Sequence, residues 1–165
     1  VKGSLRLADW TIYSTKKINS KTIKMFEPQD DKEVGVRNIS NAKLPKNSVF
    51  LVSGIMMLTG TNPDAQNAEG YKAINFRSLS TVPAIANGEF SLKANKKQII
   101  PENQSNRRFI TDNDHTLQWG YYKLDNPRLI KDEEVIELIV ELGTQFQIPA
   151  EQYIYAALDG TATTP

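Results

Sequence analysis

Apolar and polar side chains alternate with a two-residue period in short segments, and Asn, Gly, Pro and Asp residues separate the segments. This is strand spacing, because successive side chains of an extended chain point to opposite faces. In Thr22-Ile23-Lys24-Met25-Phe26, Ile23 and Met25 share one face and Thr22 and Lys24 the other, which predicts a half-buried strand. Leu44-Pro45-Lys46-Asn47 has the chemistry of a turn and leads into Val49 to Leu58, the most apolar stretch and the expected central strand. Gly54 inside it predicts a bulge, or the close approach of another backbone or a large side chain. Thr59 to Asp64 ends that strand, residues 62–71 read as an exposed loop, and the chain returns at Ala73 to Phe76.

Ala86-Asn87-Gly88 predicts a tight hairpin of type I′, since Asn-Gly readily supplies two positive φ angles. Glu89 to Ala94 alternates after it and buries Phe90, Leu92 and Ala94. Ile99-Ile100-Pro101 reads as a short strand stopped by proline, and residues 102–116 as a polar loop carrying Arg107, Arg108 and Phe109. Extended structure resumes from Trp119 to Lys123, and Asp125-Asn126-Pro127 turns the chain again. Val135 to Leu142 fits a helix through Val135, Leu138, Ile139 and Leu142, and a strand through Ile136, Leu138, Val140 and Leu142. Its shortness and its Val and Ile content favour the strand, although Asp132 to Glu134 can start a helix. Tyr153 to Leu158 is the last expected strand, closed by Asp159-Gly160 and a small polar tail. Eight or more short strands predict an all-β sandwich or barrel, and the long amphipathic segments that crossover helices need are missing.

A length of 165 residues suits one domain spanning 1–165, because two cores of half that size would be marginal. With 39% hydrophobic and 24% charged residues the chain has ordinary globular usage. No window approaches the roughly 18 apolar residues of a membrane-spanning helix. Val1-Lys2-Gly3-Ser4 lacks the apolar stretch of a signal peptide, so synthesis in the cytosol is expected. The absence of cysteine excludes disulfides, thiolate nucleophiles and cysteine-ligated zinc, and the single histidine, His115, excludes mechanisms that need two imidazoles. Charge is uneven: residues 1–46 carry ten Lys and Arg against five Asp and Glu, and residues 47–165 carry ten against fourteen. A basic start of this kind fits contact with nucleic acid, an anionic surface or an acidic face of another copy, and it also fits a plain solvated surface.

Candidate chemistry is sparse. Asp112-Asn113-Asp114-His115 begins like a calcium loop but lacks the following glycine and the distal glutamate. His115 with Asp112 or Asp114 has no Gly-x-Ser-x-Gly elbow to complete a hydrolytic triad, and no glycine-rich phosphate loop is present. Glu133, Glu134, Glu137 and Glu141 offer paired carboxylates of the kind glycosidases use, yet they also read as one exposed face. Trp10, Trp119, Tyr121 and Tyr122 suit stacking on sugar rings and equally suit core and interface packing. Lys16, Lys17, Lys21 and Lys24 beside Tyr13 form a basic stretch able to touch phosphates without reading sequence. No catalytic residue, cofactor or metal is assigned, and the chain is not expected to be an enzyme.

Two blocks carry a resemblance: Asn41 to Ile55, with its proline-led turn, and the stretch from Ile85-Ala86-Asn87-Gly88 through Gly120-Tyr121-Tyr122-Lys123-Leu124-Asp125-Asn126-Pro127 to Leu142. Together they resemble the jelly-roll capsid proteins of tailless icosahedral bacteriophages. The resemblance spans about two thirds of the chain and consists of architectural features alone. It implies a single jelly-roll β-sandwich of about eight strands, acting as a structural virion protein. The length suits a vertex (penton) or minor capsid subunit better than a double jelly-roll major capsid protein. It further implies a homo-oligomer, a pentamer for a vertex role, packed against other capsid proteins in a virion assembled in the host cytoplasm. Residues 1–20 would then form an extended arm reaching neighbours or genome. The alternative function is a carbohydrate- or receptor-binding β-sandwich.

Overall fold

The computed structural model describes residues 6–110, 120–143 and 148–164. Eight strands follow in chain order: β1 (Arg6–Lys17), β2 (Thr22–Lys24), β3 (Val49–Thr61), β4 (Glu89–Ala94), β5 (Lys97–Ser105), β6 (Tyr121–Lys131), β7 (Ile136–Glu141) and β8 (Gln152–Thr164). Strands whose numbers total nine are partners: β1 pairs with β8, β2 with β7, β3 with β6 and β4 with β5, all antiparallel. Such pairing describes one long hairpin. Folding that hairpin over so that β3 also meets β8, and β4 meets β7, yields two four-stranded sheets, β1-β8-β3-β6 and β2-β7-β4-β5. This is the strand order of a jelly-roll sandwich, as expected.

Alternation explains the core. Ile12, Phe50, Val52, Ile55, Met57, Ile154 and Leu158 point inward from the first sheet and meet Ile23, Phe90, Leu92, Ile136, Leu138 and Val140 from the second in one buried cluster. Met25 is buried and Thr22 and Lys24 are exposed, as the alternation at residues 22–26 requires. The ambiguous run around Val135 is strand β7, whose strict inward set of Ile136, Leu138 and Val140 satisfies the strand template. At Gly54 both expected features occur: the register of β3 shifts between Val52 and Gly54, and the Tyr121 ring lies where a Cβ would sit. At the loop end of the sandwich the buried Gln152 Nε2 donates to Thr59 Oγ1 at 2.6 Å, and that hydroxyl donates to the Tyr153 carbonyl at 2.9 Å, so a polar cluster closes the core.

Several local expectations need correction. Asn87-Gly88 makes no hairpin: Pro83–Ala86 forms one helical turn before it, with Asn87 at φ −92° and its N–H bonded to the Pro83 carbonyl. The positive-φ pair lies instead at Asn95 and Lys96 (φ 51° and 63°), joining β4 to β5 with Ala94 opposite Lys97. Pro101 does not stop β5, because β5 is the outermost strand and a proline there removes no bond from the ladder. Residues 102–105, expected as loop, continue β5, and Asn106–Phe109 forms a 3-10 turn. Asp125-Asn126-Pro127 lies inside β6: Lys123 pairs with Gly54 and Arg128 with Val52, so the intervening residues bulge from an edge strand instead of reversing it. Ala73 to Phe76 is not a strand; Gly70–Ala73 is a 3-10 turn, and the segment joins the sheet by a single bridge between Thr59 and Arg77. Residues 6–17, within the expected arm, are paired with β8 along their whole length, and the small polar tail at 161–164 belongs to β8.

Candidate interaction surface

Side chains that point away from the core differ sharply between the two sheets. On β2-β7-β4-β5 they include Lys24, Glu137, Glu141, Glu89 and Lys93 around a half-buried Ile139, a mostly charged face. On β1-β8-β3-β6 the outward positions bring Tyr13, Ala157, Met56 and Tyr121 into one row across the four strands. A second row holds Thr161, Leu51 and Leu129, with Leu7 one step further along β1. Leu129 is 61% exposed and Leu7 76%. Between the rows, Thr11 Oγ1 donates to Asp159 Oδ1 at 3.2 Å. An antiparallel sheet that faces water ordinarily presents polar side chains on that side.

The upper end of this face is roofed by aromatic rings. Tyr155 stacks on Tyr13 at 6.0 Å and meets Phe76 at 5.4 Å, and Tyr71 stacks on Tyr153 at 5.8 Å with planes 9° apart. Burial pushes the Tyr155 hydroxyl above its ordinary pKa, and burial, then the Asp159 charge, does the same for Tyr121. The loop bearing Tyr71 is fastened by Lys72, whose Nζ lies 2.9 Å from Glu33 Oε1 and 3.0 Å from Glu69 Oε2. The hydrogen bond from Lys72 holds the Glu33 carboxyl below the usual carboxylate range, and the bond from Lys17 does the same for Glu151. Carboxylates lowered in the folded chain contribute stability that is complete above the ordinary glutamate pKa of about 4.3 and is lost as pH falls through the lower folded values. The melting temperature is therefore expected to fall on acidification below that range, and less steeply in Glu33→Gln, in a pH series of thermal unfolding curves.

Most of the sequence candidates do not assemble into a site. Asp112, Asp114, His115 and Trp119 lie outside the described residues. Trp10 packs edge-on against Phe50 at 5.9 Å, and Tyr122 lies between the Phe109 ring at 6.3 Å and the Arg108 guanidinium at 5.3 Å. These rings therefore form no shared platform with Tyr121 on the outer face. Glu134 accepts the backbone N–H of Lys131, while Glu137 and Glu141 belong to the charged face. The basic stretch is partly neutralised within the chain: Lys16 is paired with Asp30, and Lys17 with Glu151 at 2.8 Å. Lys16, Lys17 and Lys24 line a cleft of about 380 Å³ with Arg37, Glu27 and Tyr153. Arg37 Nε is buried there without a hydrogen-bond partner among the described residues, 4.0 Å from Asp30 Oδ2.

No protein family, curated protein or solved structure matches this chain. The surface must be read from its own residues.

One of those residues, missed in the sequence, is Asn38. Its Oδ1 accepts the Tyr13 N–H at 3.0 Å and its Nδ2 donates to the Thr11 carbonyl, while Thr15 N–H donates to the Val36 carbonyl at 2.9 Å. The segment 36–38 thus caps the outer edge of β1 from Thr11 to Thr15. An asparagine in a loop carries no periodic signal that would reveal this. Asn38→Ala leaves two part-buried backbone groups unpaired and is expected to lower stability by about 1–3 kcal/mol. Urea unfolding measures the loss, and amide exchange at Tyr13 should accelerate in parallel.

Proposed function

We propose that this chain is a structural subunit that works by packing against other proteins through the outer face of β1-β8-β3-β6, in the vertex or minor capsid role implied by its sequence resemblance. The observation that carries the proposal is the contrast between the two outer faces: one is mostly charged around Ile139, while the other, beside Asp9, Asp159 and Lys123, carries rows of apolar and aromatic side chains with Leu129 61% exposed. Covering a leucine or methionine side chain stabilises a contact by about 1.5–3 kcal/mol relative to leaving it in water. Leu51, Met56 and Leu129 together therefore favour a protein partner on this face. Jelly-roll sandwiches include viral capsid and lectin domains, so the strand order fits the proposal without selecting it.

Native mass spectrometry of the intact chain at micromolar concentration tests the reading. A discrete closed ring is expected, with five subunits for a vertex role. A stable monomer that binds glycans in an array assay would instead favour the carbohydrate-binding alternative.

A further inference from the structure

Each sheet has two outer strands, and three of the four edges are blunted. β2 is three residues long. β5 carries Pro101 and a register irregularity, with Asn103 at φ 71°. β6 bulges at Asp125-Asn126-Pro127 and bears Lys123 and Lys131. Short strands, prolines, bulges and lysines are the usual means by which a sheet edge is kept from pairing with another chain.

β1 is different. Its register against β8 runs without a shift from Arg6 to Lys17, and among the described residues its edge is capped only from the Thr11 carbonyl to Thr15. Because Thr11, Tyr13 and Thr15 turn their backbone groups outward, the two-residue period turns the N–H and C=O of Leu7 and Asp9 outward as well. These groups have no partner among the described residues. The five residues from Leu7 to Thr11 contain no proline, lysine or bulge. An apolar slot of about 220 Å³ runs beside them, lined by Ala8, Trp10, Pro45, Ser48 and Ala162.

We infer that this open half of β1 is a strand-addition site, and that its occupant is the same segment of a second copy, paired antiparallel about a two-fold axis. An edge strand is self-complementary in its hydrogen bonds under such an axis, as any isologous contact requires. Side-chain charge selects the register. Placing Asp9 on the axis sets two carboxylates against each other, which is destabilising. Placing Ala8 on the axis sets Leu7 of each copy opposite Asp9 of the other, with their outward N–H and C=O groups exchanged. The two copies then share one continuous eight-stranded sheet, and the apolar outer face runs across the junction through Leu7. The inference builds on the assembly reading, but it uses an edge where that reading uses a face.

The absence of cysteine makes the test clean. In an antiparallel pair without mutual hydrogen bonds, facing Cα atoms lie about 4.5 Å apart, within the range of a disulfide. Ala8→Cys in the full chain should therefore form a covalent dimer under mild oxidation. Lys96→Cys, at the exposed β4–β5 turn, serves as the control. The Ala8→Cys chain should cross-link at least about tenfold faster, since paired thiols meet at an effective concentration in the millimolar range. Adding Asp9→Pro removes an outward N–H at a position where an edge strand tolerates proline, and should erase that advantage with the circular dichroism spectrum unchanged. Cross-linking of Ala8→Cys no faster than the control, or unaffected by Asp9→Pro, overturns the inference. Leu129→Glu leaves this cross-link in place, so loss of the face reading and loss of the edge pairing are seen separately.

Discussion

Gly160→Ala is expected to abolish folding. Gly160 sits in β8 with Trp10 of β1 on one side and Val52 of β3 on the other. A Cβ there would collide with the Leu51 carbonyl oxygen and lie 2.9 Å from its carbon and 3.2 Å from Ser53 N. All three atoms are backbone, so no side-chain rotation relieves the overlap. The only escape is to part β3 from β8, the pairing at the centre of the first sheet. Soluble yield and far-ultraviolet circular dichroism measure the effect. Gly143→Ala is the control, because among the described residues a Cβ at Gly143 meets nothing within 4 Å, and it should leave both unchanged.

Phe50→Ala should remove about 3–5 kcal/mol of stability, the usual effect of truncating a fully buried aromatic side chain. Phe50 is fully buried and receives the edge of Trp10 at 5.9 Å, so the cavity opens where both sheets and the β1 strand meet. Since small domains are stable by only about 5–15 kcal/mol, the variant would be close to unfolding. Urea unfolding should show a lower midpoint with an unchanged slope. Val34→Ala, at a site 84% exposed and outside the strands, should stay within about 0.5 kcal/mol of the parent.

Strands with strict alternation are legible in the sequence. β2, β3, β4 and β7 read correctly because each buries one face and leaves the other polar or half-covered. β1 was hidden for the reason that makes it interesting. Its outward Leu7 and Tyr13 and its inward Ser14 blur the contrast between faces, so the segment reads as an arm. The edge strands β5 and β6 were cut short at Pro101 and at Asp125-Asn126-Pro127, because turn residues in a sequence look alike whether they reverse a chain or bulge from a sheet edge. Asn87-Gly88 misled for a related reason: Gly88 is small because a Cβ would lie 2.6 Å from the Glu141 carbonyl oxygen, and its φ is not positive. The apolar face was not legible at all. It depends on which strands are neighbours, and Tyr13, Met56 and Tyr121 come together only through the β1-β8-β3-β6 order.

Sedimentation velocity on the parent chain, on Leu51→Glu with Leu129→Glu, and on Lys24→Glu at the opposite face tests most directly whether the apolar sheet face assembles the protein. The parent and the Lys24→Glu chain should sediment as the same oligomer, and the double substitution should sediment as a folded species of lower mass. A parent chain that stays monomeric across the micromolar range, or a double variant that sediments at the parent's mass, would contradict the account.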